Sequence, residues 1–396
     1  MKLGFLIYGS LDTLSGGYMY DRKLVDYLRK QGDTVEIISL PWRNYAAHLM
    51  DNFFDVIASE GRAGGGSRYG LRPTRPPPPY RDQAKRRRGA AATQSPQNRE
   101  FDILIQDELN HPSLITANRR PHPYPIVSLV HHLRCSELRP KWQNAIYRII
   151  EKKYLQSVDG FIFNSQTTKG VVNRLMGNSL PSVVAYPPTD RFGEAISEDE
   201  IEERSKKKEL RILFLGSLIE RKGLHTLLEA IRTLTFDPSI KPRAGLRLEI
   251  VGSLTTDPAC AKQMQDFVTV NGLSSIVTFH GALNNEPLKQ KLQQSHVLVV
   301  PSSYEGFGIV YLEGMGFGLP AIGTTAGAAG EIIEHGKTGC LIEPNDSTTL
   351  ANHISHLASD RDLLTELSFN ARKRYVQQPS WDETASQIRN FLLDMK

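Results

Sequence analysis

The sequence predicts an α/β protein built from two doubly wound parallel-sheet domains, and three observations carry that expectation. Short Val/Ile/Leu-rich runs recur along the chain, stretches of helical periodicity separate most of them, and the alternation restarts after one polar, charged break. Branched apolar strands alternating with helices imply parallel sheets covered on both faces.

The first six strand candidates are KLGFLIY, TVEIISL, FDILIQDE, PIVSLVHH, GFIFNS and SVVAYP, with helical patterns such as YMYDRKLVDYLRKQG and KWQNAIYRIIEKKYLQSV among them. The break runs from Asp190 to Glu209, where SEDEIEERSKKKE reads as a short linker helix. Six more candidates follow: RILFLGS, RLEIVGS, IVTFHG, HVLVVPS, LPAIGTT and GCLIEP. Helical patterns such as GLHTLLEAIRTL and PACAKQMQDFVTVNG lie between them. This divides the chain into a first domain over 1–190, a linker over 191–209, a second domain over 210–378 and a terminal amphipathic helix over 379–396 anchored by Trp381. In such folds ligands collect at the carboxyl ends of the strands, here the cleft between the two domains.

The net charge of +5 is a local effect. Residues 61–99 hold ten Lys/Arg against the single acid Asp82, a net +9, which leaves −4 for the remainder. Among Ile, Leu, Val, Met and Phe this stretch contains only Leu71, and Pro76 to Pro79 favour polyproline II. It reads as a disordered surface excursion, or as a tether to nucleic acid or anionic lipid through Lys85-Arg86-Arg87-Arg88. Cys135, Cys260 and Cys340 form no CxxC pair, which argues against a disulfide framework or a cysteine zinc site and fits a reducing cytoplasm. No apolar run reaches the roughly 18 residues of a membrane span.

Two constellations point to chemistry. LFLGSLIERKGLHTLLEA places Arg221, Lys222 and Gly223 between a strand and a helix start, where free N–H groups and the helix dipole favour an anion such as a diphosphate. The plainer reading is a solvated basic loop. In PSSYEGFGIVYLEG, Glu305 and Glu313 bracket a Gly-Phe-Gly turn after an apolar strand. Gly306 and Gly308 admit close backbone approach, and the amides of Phe307, Gly308 and Ile309 face a ligand at the helix start. Glu305 suits a sugar hydroxyl; Glu313, about one turn of 5.4 Å into the helix, reaches a second ring. Two carboxylates, two sugars and a diphosphate describe a nucleotide sugar. The alternative is a helix-capping and a core-edge carboxylate.

The block PSSYEGFGIVYLEGMGFGLPAIGTTAGAAGEII resembles the E-x7-E region of family 4 glycosyltransferases of the GT-B fold. The strand–Arg-Lys-Gly–helix segment is similar to their phosphate loop, and Gly16-Gly17 to their N-terminal glycine loop. The likeness covers nearly the whole chain except 61–99. Ser217 departs from it, standing after Gly216 where many members carry Arg.

The resemblance implies that Glu305 contacts the transferred sugar and Glu313 the ribose. Arg221 and Lys222 bind the diphosphate and stabilise it as leaving group. Phe307, Gly308 and Ile309 offer amides, Gly16 and Gly17 let the first domain's loop close over the donor, and His131 takes the cleft-histidine position. Adjacent strand residues face opposite ways, so only one of His131 and His132 is expected to enter the cleft, and the resemblance of PIVSLVH to the family points to His131. The last helix crosses back to the first domain and braces the hinge.

The implied reaction is transfer of a hexose-type sugar, with retention, to a glycan, lipid-linked or small-molecule acceptor. No protein nucleophile and no metal or other cofactor is expected. Asp360-Arg361-Asp362 reads as a solvated turn, and His353 with His356 as a surface pair. The alternatives are an epimerase or hydrolase of the same fold, or a non-catalytic nucleotide-sugar-binding scaffold. The expected partners are the nucleotide diphosphate sugar and the acceptor, with no nucleic acid and with peripheral membrane contact through residues such as Arg119-Arg120. The expected location is the cytoplasm.

Overall fold

A computed structural model describes residues 1–13, 16–53, 100–188, 191–193, 195–239 and 245–396. The basic excursion at 61–99 lies outside the described residues.

Each strand candidate forms a strand. Those of the first domain are β1 (Lys2–Tyr8), β2 (Thr34–Leu40), β3 (Ile103–Asp107), β4 (Ile126–Val130), β5 (Gly160–Phe163) and β6 (Ser182–Val184). Those of the second are β7 (Leu210–Leu215), β8 (Leu246–Val251), β9 (Val277–Gly281), β10 (Val297–Val299), β11 (Ala321–Thr324) and β12 (Gly339–Ile342). The sheets run β2-β1-β3-β4-β5-β6 and β12-β11-β10-β7-β8-β9. Every pairing is parallel. Central strands such as β3 and β4 are buried along their full length, which is why their sequences read as unbroken apolar runs rather than alternations. The expected architecture of two doubly wound Rossmann-like domains is the one observed.

Strand order reverses between β1 and β3 in one sheet and between β7 and β10 in the other. Those crevices are where doubly wound sheets receive ligands. Gly16-Gly17 follow β1 and Asp107 ends β3; Arg221-Lys222 follow β7 and Glu305 follows β10. Both crevices therefore open toward the interdomain cleft.

The segment Glu198–Ser205 is a helix closed by a full capping box between Ser197 and Glu200. It is more than a solvated spacer. Ile201 is fully buried, and Arg204 donates to the carbonyls of Phe317 and Gly318 at 2.8 and 3.0 Å. The helix Trp381–Met395 lies on the first domain. Trp381 meets Tyr20 edge-on at 5.3 Å, and Arg389 Nε donates to the buried Asp33 at 2.7 Å. Among the described residues no helix is long and apolar enough to cross a membrane.

Candidate active site in the interdomain cleft

After β7 the chain makes a 3-10 turn over Glu220–Lys222 and enters the helix Leu224–Phe236 through Gly223. Gly223 has φ +70, and a β-carbon there would stand 2.0 Å from the Pro301 carbonyl oxygen. Only glycine lets this loop lie against the end of β10.

That contact brings the two constellations together. Lys222 Nζ donates to Glu305 Oε1 at 2.5 Å, and Arg221 lies 3.9 Å from the same carboxylate. Ser302 Oγ donates to Glu305 at 2.6 Å. Arg221 also donates to the Tyr304 carbonyl at 2.8 Å. Burial pushes the Glu305 carboxyl up, but Lys222 and Arg221 outweigh it and hold the group below the usual carboxylate range. Carboxylate and cations thus form one cluster, a juxtaposition of residues 83 apart that the sequence spacing does not show.

Gly308, at φ 97, opens the helix Ile309–Gly316. Glu313 is 4% exposed and pairs with Arg191 at 3.1 Å. Burial raises the Glu313 carboxyl and Arg191 opposes the rise. The Phe307 ring is buried against Tyr186, 5.9 Å away.

The first domain supplies the opposite wall. A β-carbon on Gly16 would come to 3.9 Å from Ile309, and one on Gly17 to 3.3 Å from the His131 ring, so the glycine loop spans the cleft between that helix and the histidine. Gly306 presses on the His131 carbonyl, which also accepts from Asn164 Nδ2 at 2.8 Å. Ser165 Oγ donates to the Gly306 carbonyl at 3.1 Å, and Glu331 accepts from the Gln166 and Thr167 amides at 2.9 and 2.7 Å. Glu331 thereby satisfies two free amides at a helix start of the other domain.

His131 Nε2 lies 3.2 Å from Asp21 Oδ1. Burial pushes Asp21 up to about 7 and lowers the His131 imidazole, so the buried surroundings favour the neutral form of each. Burial and Asp21 raise Asp107; burial and Asp107 raise Glu108, which accepts from the His131 amide at 2.9 Å. Asp21, Asp107 and His131 each place one donor atom within 4.8 Å of the others, the one group among the described residues with the donor types for a metal ion. His132 meets Glu137 at 3.0 Å and lines the interdomain cavity, so the expectation that only His131 of the pair enters the cleft does not hold.

Sequence reasoning did not find Asp21, Asp107, Glu108, Arg191 or Glu331. The one available signal was QDE, a charged cluster closing the apolar strand β3. A cavity of about 840 Å³ lies between the domains, lined by His132, Glu137 and Arg139 on one side and Glu220, Arg221 and Ser303 on the other.

Residues 16–191 match the family profile "Glycosyltransferase Family 4", and residues 196–374 match "Glycosyl transferases group 1". Together with the two facing parallel sheets, these matches place the chain in glycosyltransferase family 4, with the GT-B fold. A glycosyltransferase of Methanocaldococcus jannaschii is 32% identical over 46% of this chain and 44% of its own. A GDP-mannose-dependent alpha-(1-6)-phosphatidylinositol monomannoside mannosyltransferase of Mycobacterium tuberculosis is 29% identical over 62% of this chain and 65% of its own. The chain thus spans about half to two-thirds of the length of these curated relatives. Sucrose-phosphate synthase from Thermosynechococcus elongatus superposes with a TM-score of 0.76 at 18% identity, over 100% of this chain and 98% of that one. Anabaena HepE, solved with UDP-glucose, superposes with a TM-score of 0.69 at 18% identity over the full length of both chains.

Proposed function

We propose that the chain transfers a hexose-type sugar from a nucleoside diphosphate sugar to a hydroxyl of a glycan, lipid-linked or small-molecule acceptor, with retention at the anomeric carbon and without a metal. The observation that carries this reading is the Lys222–Glu305–Arg221 cluster, whose Arg221 lines the interdomain cavity. An arriving diphosphate draws Lys222 and Arg221 toward its oxygens. The two cations then neutralise charge that grows as the sugar–phosphate bond breaks. Glu305, still ionised, accepts hydrogen bonds from sugar hydroxyls. Phe307, Gly308 and Ile309 present amides at a helix start, and Glu313 faces the ribose. Gly16 and Gly17 leave room for the donor between Ile309 and His131. Solved relatives in the fold include one bound to UDP-glucose, and a curated relative is GDP-mannose-dependent, which supports a nucleotide-sugar donor.

The test is thermal unfolding with UDP, GDP and ADP in turn, followed by product analysis with the matching donors. Nucleotide at a hundredfold its dissociation constant adds about 2.7 kcal/mol. A shift with one nucleotide, lost in Lys222→Ala, is expected, and the glycoside product should keep the donor's anomeric configuration. No shift with any nucleotide overturns the reading. Sugar release or epimerisation without acceptor redirects it to the donor alone.

A further inference from the structure

The helix Lys141–Leu155 has the charge and polarity of a membrane-surface helix turned to solvent. Trp142, Ile146 and Ile149 are 64%, 48% and 58% exposed. At about 100° per residue the three fall within roughly 60° of one another, opposite the inward face formed by Glu151, Tyr154 and Leu155. Leu138, just before the helix, is 60% exposed. Lys141, Arg148 and Lys153 are exposed beside this stripe, with Lys152 half-buried. The helix's single carboxylate, Glu151, is buried and accepts from the amides of Arg134 and Cys135 at 2.6 and 3.1 Å, so the outer face carries no negative charge. Beside it a cavity of about 580 Å³ has Arg148, Lys152 and Arg174 around Ile149, Val171 and Leu175, and no acid lines it.

We propose that this face docks on an anionic lipid surface. The apolar stripe enters the headgroup boundary and the cations meet lipid phosphates, with the cavity taking one headgroup. An aromatic and two branched side chains side by side in water, flanked on their own helix by positive charge alone, are a composition that binds such surfaces. Charge complementarity selects this occupant over a second copy of the chain, whose identical face would repel. The face adjoins the catalytic cleft, since Leu138, Pro140 and Gln143 line the interdomain cavity. Resting on the glycosyl-transfer reading, this narrows the acceptor to one presented at a membrane surface.

The experiment is co-sedimentation of the full chain with vesicles of phosphatidylcholine alone and of phosphatidylcholine mixed with phosphatidylglycerol. Binding is expected to the mixed vesicles, with at least about a tenfold weaker partition in Trp142→Ser/Ile146→Ser/Ile149→Ser and in Arg148→Glu/Lys152→Glu. Both variants keep the nucleotide-induced thermal shift, which shows that the fold and donor site survive. Deletion of 61–99 leaves binding in place. Undiminished binding by both variants, loss on deleting 61–99, or equal binding to neutral vesicles overturns the proposal. So does stripe-dependent self-association without vesicle binding. Vesicle binding in a chain that shows no nucleotide shift removes the glycosyl-transfer reading and leaves the lipid surface standing.

Discussion

Arg191 Nη1 stands 3.1 Å from Glu313 Oε1, across a stretch of 122 residues. The carboxylate side chain is 3% exposed, while a third of Arg191 faces water. Arg191→Ala leaves a buried carboxylate without its cation. Allowing for solvent on the arginine, the loss is about 1–3 kcal/mol. Glu313→Gln in the same chain recovers much of it, because the unpaired charge is gone. Denaturant midpoints of both single variants and the double variant measure the coupling, and strict additivity means the pair contributes nothing.

Gly306 packs directly against the first domain. A β-carbon there would lie 2.6 Å from the His131 carbonyl oxygen and 3.0 Å from the His132 β-carbon. Gly306→Ala therefore forces the domains apart or distorts the His131 loop, at about 1–3 kcal/mol. The expected signature is a larger radius of gyration by solution scattering together with weaker nucleotide binding. A variant with unchanged scattering and affinity would show that the interface yields without consequence.

Asp21 makes stability depend on pH in a direction opposite to that of a paired carboxylate. Its folded-state value of about 7 lies above the roughly 3.9 of an exposed aspartate. Between those values the folded chain holds a proton that the unfolded chain has released, so stability falls as pH rises through that window. Asp107 and Glu108 are raised as well and add the same sign. Asp21→Asn should flatten part of this slope, gaining on the parent at about pH 8 relative to about pH 5. Urea midpoints at both values decide it; an equal difference at the two would sink the assignment.

Trp381 holds the terminal helix against the first domain. The side chain is 9% exposed, meets Tyr20 at 5.3 Å and has Lys23 Nζ 5.9 Å from the ring centre. Trp381→Ala should cost about 3 kcal/mol, within the range for buried aromatic truncations. Hydrogen exchange then rises along Trp381–Met395 before it rises in β7–β12. Uniform exchange across both domains would mean the helix does not anchor locally.

The elements were legible because most are local. Twelve apolar runs are strands, and the Gly223 and Gly308 loops stand where the sequence set glycines between strand and helix. Family membership was also readable in the block from Pro301 to Ile333, whose residue types and spacing are contiguous. The helix Lys141–Leu155 shows the limit of that reading. Its periodicity announces two faces, yet the face bearing Trp142, Ile146 and Ile149 is the one in water, and Glu151 is inside.

By itself the sequence determined where the chain is extended, where it coils and which loops admit close backbone approach, since these follow from side-chain shape and near-neighbour sterics. Tertiary structure alone decided that Lys222 meets Glu305, that Arg191 meets Glu313 and that Asp21 meets His131. The partners in these contacts are separated by 83, 122 and 110 residues. Sheet order and domain facing set their distance, and the burial that comes with it sets their charge. Neither quantity is a property of residues adjacent along the chain.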